Sequence, residues 1–370
     1  MNISILRSSF STTVLLCALF TLPAVADVVV EPGSCDTINQ AIASLPPEGG
    51  AVVLKSGTYV CDRPVVIDRS NIRLTGAGRT KTFIKTADGK ALPTVIIGQE
   101  KGLSLNNGVP YPNRLTENIT LSSMSIDGNY QAHQDPGNFE CFNPENNQSL
   151  PCGADPGFFI RNNALTIRYS NHVRVSDLLT RGGFSGGIVL EKRNDDVKMD
   201  NFETTANWFD GFAGYETTNS VFSNFKAYGN QFSGLSVDES FEGNLFRDGE
   251  ASENGDNGVF SADVGRNTYS RLRVMNNKNL GFYIDGTRGP NHQLIPHTCD
   301  GNRIEDTVIS GPKFGVMVNH ACIGTELSNV KIVQAQLNCT SFLPQAKVKM
   351  SGVTCSNANQ VLSLDALSSK

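Results

Sequence analysis

Five glycines recur along the chain at a nearly constant interval: Gly187, Gly211, Gly234, Gly258 and Gly281, separated by 24, 23, 24 and 23 residues. Each precedes an apolar residue (Ile188, Phe212, Leu235, Val259, Phe282), and a sixth copy, Gly315 with Val316, follows an insertion that holds Cys299. A unit of this length cannot bury its apolar face alone, so an array of such units stacks. Positions one and three after each glycine are mostly apolar and position four is mostly polar, the alternation of a strand with one buried face. A second apolar strand precedes each glycine, as in Val173/Val175/Leu178, Val197/Met199/Phe202 and Tyr269/Leu272/Val274. Asparagines recur at its approach (Asn171, Asn219, Asn244, Asn267, Asn302), where stacked amides satisfy one another and the turn backbone. The unit lacks the leucine pattern of leucine-rich repeats and is too short for a propeller blade. The expected fold is all-β, a single-stranded right-handed parallel β-helix.

The rest of the chain fits one elongated domain. Ile38, Ala41, Ile42 and Leu45 lie at helical spacing ahead of two apolar strands, which predicts an N-terminal helix covering the open first rung. We divide the chain into a signal peptide (1–26), a capping segment (27–60), long loops (87–117 and 129–162), regular rungs (163–287), an insertion (286–301) and C-terminal rungs (302–370). The signal peptide is read from Arg7, the apolar run Thr13 to Leu22 and the small-x-small site Ala24-Val25-Ala26. It implies export to the periplasm or medium, with no membrane span in the mature protein. Its removal leaves 30 basic and 36 acidic residues, a net charge of -6 that argues against nucleic acid as a partner. Eight cysteines then remain, an even number suited to disulfides in an exported chain. Among the many possible pairings, nearest neighbours span one rung or one loop: Cys35–Cys61, Cys141–Cys152, Cys299–Cys322 and Cys339–Cys355. Nothing in the sequence reports oligomeric state.

Because the core of a β-helix is filled, function belongs on an outward face or in loops. Position two after the glycines points outward in this register and gives Val189, Ala213, Ser236, Phe260, Tyr283 and Met317. Position four gives Glu191, Tyr215, Asp238, Ala262, Asp285 and Asn319, and position five adds Lys192, Glu216, Glu239 and Asp263. A stripe of carboxylates and exposed aromatics suits an extended sugar chain, since aromatic faces stack on pyranose rings and carboxylates bind hydroxyls or a bridging Ca²⁺. The Ca²⁺ candidates are Glu216, Glu239 and Asp263; no other cofactor is indicated. Substrate-binding candidates are Lys192, Arg193, Glu216, Glu239, Phe260, Tyr283 and Asp285. The long loop holding Cys141 and Cys152 is a candidate wall beside the stripe, and His292 and His297 lie in the later insertion.

The stretch "INQAIASLPPEGGAVVLKSGTY" with "IRLTGAGRTKTFI" resembles the opening segment of pectate-lyase-like secreted β-helix enzymes. From Leu74 to Glu239 the chain resembles the catalytic module of mannuronan C5-epimerases, relatives of alginate lyases, through "LTGAGRTKTFIKT", "LSSMSIDGN", "FSGGIVLEK", "DGFAGYE" and "SVFSNFKAYGNQFSGLSV". The resemblance implies the fold, export and a sugar-polymer ligand. The reactive rung of that family carries Tyr-Gly-Phe-Asp-Pro-His, with another Asp on the next rung. Here the first rung reads Gly186, Gly187, Ile188, Val189, Leu190 and Glu191, and Tyr215, with Glu216 beside it, stands in the next-rung Asp position.

Three functions remain open. A lyase or C5-epimerase on an acidic polysaccharide would center on Tyr215, flanked by Glu191 and Asp238. Tyr215 would serve as base or acid, and Lys192, Arg193 or Ca²⁺ would neutralise the uronate. A glycoside hydrolase would use carboxylates one rung apart, such as Glu216 and Glu239, although the Asn-Thr-Asp, Asp-Asp, Gly-His-Gly and Arg-Ile-Lys blocks of polygalacturonases are absent. A non-catalytic carbohydrate-binding protein would use the same stripe for adhesion alone.

Overall fold

The computed structural model describes residues 27–99, 115–132, 140–143, 148–151, 160–286, 298–319 and 322–356. The signal-peptide residues, His292 and His297 lie outside this set, as does Cys152, and with it the Cys141–Cys152 pairing.

The described chain winds as a parallel β-solenoid. Ile188, Phe212, Leu235, Val259, Phe282 and Val316 pair in register on successive rungs, and all six are fully buried. The glycines before them form one column. A Cβ on Gly187 would stand 2.7 Å from the Gly211 carbonyl oxygen, and Gly211, Gly234 and Gly258 meet the next glycine in the same way at 2.8, 2.9 and 2.8 Å. A Cβ at these four glycines would crowd the next rung, which is why the period is written in glycine there. Inside, like residues stack from rung to rung: Phe222 on Phe246 at 4.7 Å and Phe246 on Tyr269 at 5.5 Å, nearly parallel in both cases.

Two asparagine ladders seal the corners. In one, the backbone amides of Ser220, Asn244 and Asn267 donate to the side-chain oxygens of Asn244, Asn267 and Asn302. Asn171 and Asn219 stay outside it; Asn219 is exposed in a left-handed corner and donates to Asp195 instead. The second ladder, Asn207–Asn230–Asn254–Asn277, escaped the sequence reading although it is the more complete. Each of the first three donates both its backbone N–H and its side-chain amide to the next Oδ1. These amides satisfy the buried turn backbone where strands end.

The first rung is covered as expected. The helix Cys35–Ser44, N-capped by Ser34, buries Cys35, Ile38, Ala41 and Ile42. Arg69 reaches across to donate to the carbonyls of Ile42, Leu45 and Pro46, satisfying the helix C-terminus. Three expected disulfides form: Cys35–Cys61, Cys299–Cys322 and Cys339–Cys355, with Cα separations of 4.9, 4.9 and 6.1 Å. No helix among the described residues is long and apolar enough to cross a membrane.

Both early loops contain more structure than their composition suggests. Within 87–117, Val95–Ile97 is a rung strand paired with Val65–Ile67 and Leu165–Ile167. Within 129–162, Glu140–Asn143 pairs antiparallel with Gln148–Pro151 and with Ile160–Arg161, a small sheet that leads directly into the rung at Leu165.

Candidate functional site

Parallel pairing carries one outward column along the solenoid axis. Arg168 pairs with Glu191 in register. The Tyr215 amide donates to the Leu190 carbonyl at 2.8 Å and the Asp238 amide to the Gly214 carbonyl at 2.9 Å, so Tyr215 and Asp238 take the next two rungs. Ala262 and Asp285 then pair directly, and the Asn319 amide donates to the Ile284 carbonyl. Glu191, Tyr215 and Asp238 thus stand about 4.8 Å apart, one per rung.

Arg168 was missed in the sequence. Its rung begins at Ala164, whose neighbour Leu165 donates to the Gly187 carbonyl just as Ile188 donates to that of Gly211. With alanine in the glycine position, the repeat does not announce this rung. The Arg168 side chain is fully buried, with its Nη1 3.5 Å from Glu191 Oε1, a charge contact without hydrogen-bond alignment. Its guanidinium carbon lies 5.2 Å from the centroid of the Tyr169 ring. Glu191, which is largely covered, is the counter-charge of a buried cation as well as a member of the column.

Burial pushes the Tyr215 hydroxyl up to about 12; the charge of Arg161 works against this, while Asp210, Asp238 and Glu191 reinforce it. At neutral pH this phenol holds its proton, which favours the acid of the two roles open to Tyr215. Asp238 is raised by burial to about 6, with an amide hydrogen bond from Glu239 lowering it and Asp263 and Glu239 raising it. Asp210, absent from the sequence-derived candidates, is raised by burial to about 7. It accepts the Ser233 backbone N–H at 2.8 Å, and the Ser236 hydroxyl and Arg161 also favour its charged form.

The expected cations are displaced. Arg168 pairs with Glu191 and Ser170 with Asn194, so Lys192 and Arg193 oppose the single residue Tyr169 as a bulge. Both have left-handed backbone, and Lys192 lies 4.0 Å from Glu216. The positive charge felt at Tyr215 and Asp210 comes instead from Arg161, the last residue of the inserted sheet.

The position-two column is corrected as well. Val189, Ala213 and Ser236 are buried (3, 5 and 8 % exposed) and do not face solvent. Phe260 and Tyr283, further along, are half-open with ring centroids 5.5 Å apart. The Tyr283 hydroxyl donates to Asp285 at 2.6 Å and accepts from Asn319 at 2.8 Å, fixing the ring. Glu216, Glu239 and Asp263 do not assemble the expected Ca²⁺ site. Among the described residues no three carboxylate, His or Cys side chains converge to hold a metal. These three are left-handed corner residues (φ 42°, 42° and 57°), a conformation that turns the chain at successive rung ends.

Residues 186–342 match the family described as right handed beta helix region. No curated protein matches the sequence. Among solved structures, the chain is similar to the A-module of mannuronan C-5 epimerase AlgE6 from Azotobacter vinelandii, at 16% identity and TM-score 0.55, covering 87% of this chain and 95% of that one. It is also similar to endo-xylogalacturonan hydrolase from Aspergillus tubingensis, at 12% identity and TM-score 0.62, covering 90% and 93%. A family 28 exopolygalacturonase of Yersinia enterocolitica matches at 11% identity and TM-score 0.52, covering 90% and 78%. The parallel pairing of its rungs, together with these matches, gives the chain the right-handed parallel β-helix fold.

Proposed function

We propose that this is a polysaccharide-active β-helix enzyme that removes the C5 proton of a uronate residue in an acidic polymer, as a lyase or a C5-epimerase. The observation that carries the reading is the pairing, on adjacent rungs, of a carboxyl raised to about 6 with a phenol held protonated. Above pH 6 Asp238 is ionised and suited to accept a proton; Tyr215 retains one to give. Arg161, whose charge acts at Tyr215, is the group placed to offset the substrate carboxylate as charge develops on it. Glu191, paired with Arg168, fixes the near edge of the column.

The chemistry balances with these groups. Asp238 takes the C5 proton and leaves an enolate beside the uronate carboxyl. In a lyase, Tyr215 protonates the departing glycosidic oxygen as the C4–C5 double bond forms. In an epimerase, Tyr215 returns a proton to C5 from the opposite face. The names of two structural neighbours, an epimerase of mannuronan and a hydrolase of xylogalacturonan, make uronate polymers the first substrates to try. Phe260 and Tyr283 would carry the chain beyond the reacting residue.

Hydrolysis is the second reading, favoured by the carboxylates Glu216 and Glu239, which stand on adjacent rungs with the Glu216 amide donating to the Glu239 carbonyl. Incubation with mannuronan, polygalacturonate and neutral glycans separates the outcomes. Ultraviolet absorbance from an unsaturated sugar identifies a lyase, and deuterium incorporation at C5 without chain shortening an epimerase. New reducing ends without that absorbance identify a hydrolase. Retention of polymer with no product of any kind would overturn the enzymatic reading and leave carbohydrate binding.

A further inference from the structure

On the opposite edge of the same sheet, where the strands begin, aromatic side chains gather at the corner. Phe209 and Phe232 occupy it on successive rungs, the Phe232 amide donating to the Phe209 carbonyl, and their ring centroids lie 4.2 Å apart. Trp208 stands beside Phe209, with Tyr130 edge-on to it at 5.7 Å. Tyr130 also sets its ring edge-on to the buried Phe184, and its hydroxyl accepts from Gln231 at 3.5 Å. Phe232 is 40 % exposed, unlike the phenylalanines that fill the core.

The corner changes character on the next rungs. The Asp256 amide donates to the Phe232 carbonyl, the Asn279 amide to Asp256, and the Lys313 amide to Asn279, so these residues continue the column. Their side chains are linked, Asn279 donating to Asp256 at 2.6 Å and Lys313 to Asn279 at 2.9 Å. An aromatic floor thus runs into a rail of carboxylate, amide and ammonium, one group per rung of about 4.8 Å.

We propose that Trp208, Phe209 and Phe232 form a saccharide subsite that takes the apolar face of one pyranose ring, with Asp256, Asn279 and Lys313 bonding to the hydroxyl or carboxylate groups of the adjoining sugar. This rests on the reading of the protein as polysaccharide-active. A sugar chain needs this combination, flat apolar C–H faces met by rings and equatorial polar groups met by amides and charges. A protein partner does not fit, because a stable interface covers about 800 Å² per side and this floor offers the open face of little more than one ring. From Asp210 to Tyr215 the strand spans roughly 16 Å, so the subsite holds a longer chain and takes no part in the bond chemistry.

Affinity electrophoresis through gels containing mannuronan, polygalacturonate or a neutral glucomannan tests this, using wild type, Phe232→Ala, Phe232→Trp and Tyr215→Phe. We expect Phe232→Ala to weaken binding roughly three- to tenfold, the loss of one aromatic contact, with Phe232→Trp restoring it. The melting temperature of Phe232→Ala should fall by only a few degrees, because the ring is 40 % exposed and lies outside the core, so weakened binding is not loss of the fold. Equal retardation of wild type and Phe232→Ala overturns the subsite and leaves the proposed chemistry standing. Retardation that depends on Phe232, with no product from wild type on any polymer, supports the subsite and removes the chemistry. No retardation of the wild type by any of the polymers overturns the subsite.

Discussion

The two edges of one sheet carry opposite kinds of information. Along the edge where strands begin, two columns repeat through the central rungs: glycine against glycine, and asparagine bonded to asparagine from Asn207 to Asn277. Along the edge where strands end, the side chain changes at each step, through Arg168, Glu191, Tyr215, Asp238, Ala262 and Asp285. Repetition marks what the stack requires, since each rung must satisfy its neighbour. Variation marks positions that stacking leaves free, and here the buried charge of Arg168 and the raised carboxyl of Asp238 lie. The aromatic corner shows the same contrast beside the asparagine ladder, because Phe209 and Phe232 give way to Asp256 and Asn279 within one column.

The comparison breaks most visibly at the variable edge. Asp238→Asn removes the proposed base and Tyr215→Phe the proposed acid. Each should lower turnover by about 10²- to 10⁴-fold while polymer binding persists, read by absorbance or C5 exchange against affinity electrophoresis. Full activity in Tyr215→Phe would move the center elsewhere.

Glu191→Ala tests whether a variable position has nonetheless become structural. It strands the fully buried Arg168, and we expect a cost of about 3–5 kcal/mol in urea denaturation. The pair Arg168→Met with Glu191→Leu should recover most of that stability, while activity stays impaired. A neutral Glu191→Ala would show that Arg168 finds another partner.

At the repetitive edge, Asn230→Ala cuts the ladder in its middle. The Asn207 side-chain amide and the Asn207 backbone N–H then lose their shared acceptor, for a loss of about 1–3 kcal/mol. Activity should change only as far as stability does.

The gentlest probe is pH. Asp210 and Asp238 have folded-state values raised to about 7 and about 6, above the usual carboxylate near 4. In that interval the folded state binds more protons than the unfolded chain, so this contribution is fully present below pH 4 and lost as pH rises through 6 to 7. Asp210→Asn should flatten the upper part of the slope in melting temperature against pH. Turnover runs the other way, rising through pH 6 as Asp238 ionises. A pH-independent kcat/KM between 5 and 7 would exclude Asp238 as the base.

How much of this was legible depended on whether a residue repeats. The glycine interval, the apolar neighbours Ile188 to Phe282, the covering helix at Ile38 to Ile42 and three of the disulfides are local or periodic features, and each follows from the sequence. The column of Glu191, Tyr215 and Asp238 was legible for the same reason, because period-two alternation from a known glycine fixes which positions share a face. Arg168 was hidden because Ala164 occupies its rung's glycine position. The Asn207 ladder was overlooked beside the more evident asparagines near the preceding strand.

What the sequence by itself determined is the stack, since a strict period of about 23 residues has to place like residues over like. Only the tertiary structure decided the electrostatics of the face. Arg161 comes from an inserted sheet outside the repeat, yet its charge reaches Tyr215 and Asp210, while a bulge opposite Tyr169 displaces Lys192 and Arg193. Val189, Ala213 and Ser236 read as outward positions and are buried. A repeat specifies which way a side chain points. Whether water, a guanidinium or another segment of chain meets it there depends on residues far away in sequence, and that environment sets the proton affinities of Tyr215 and Asp238.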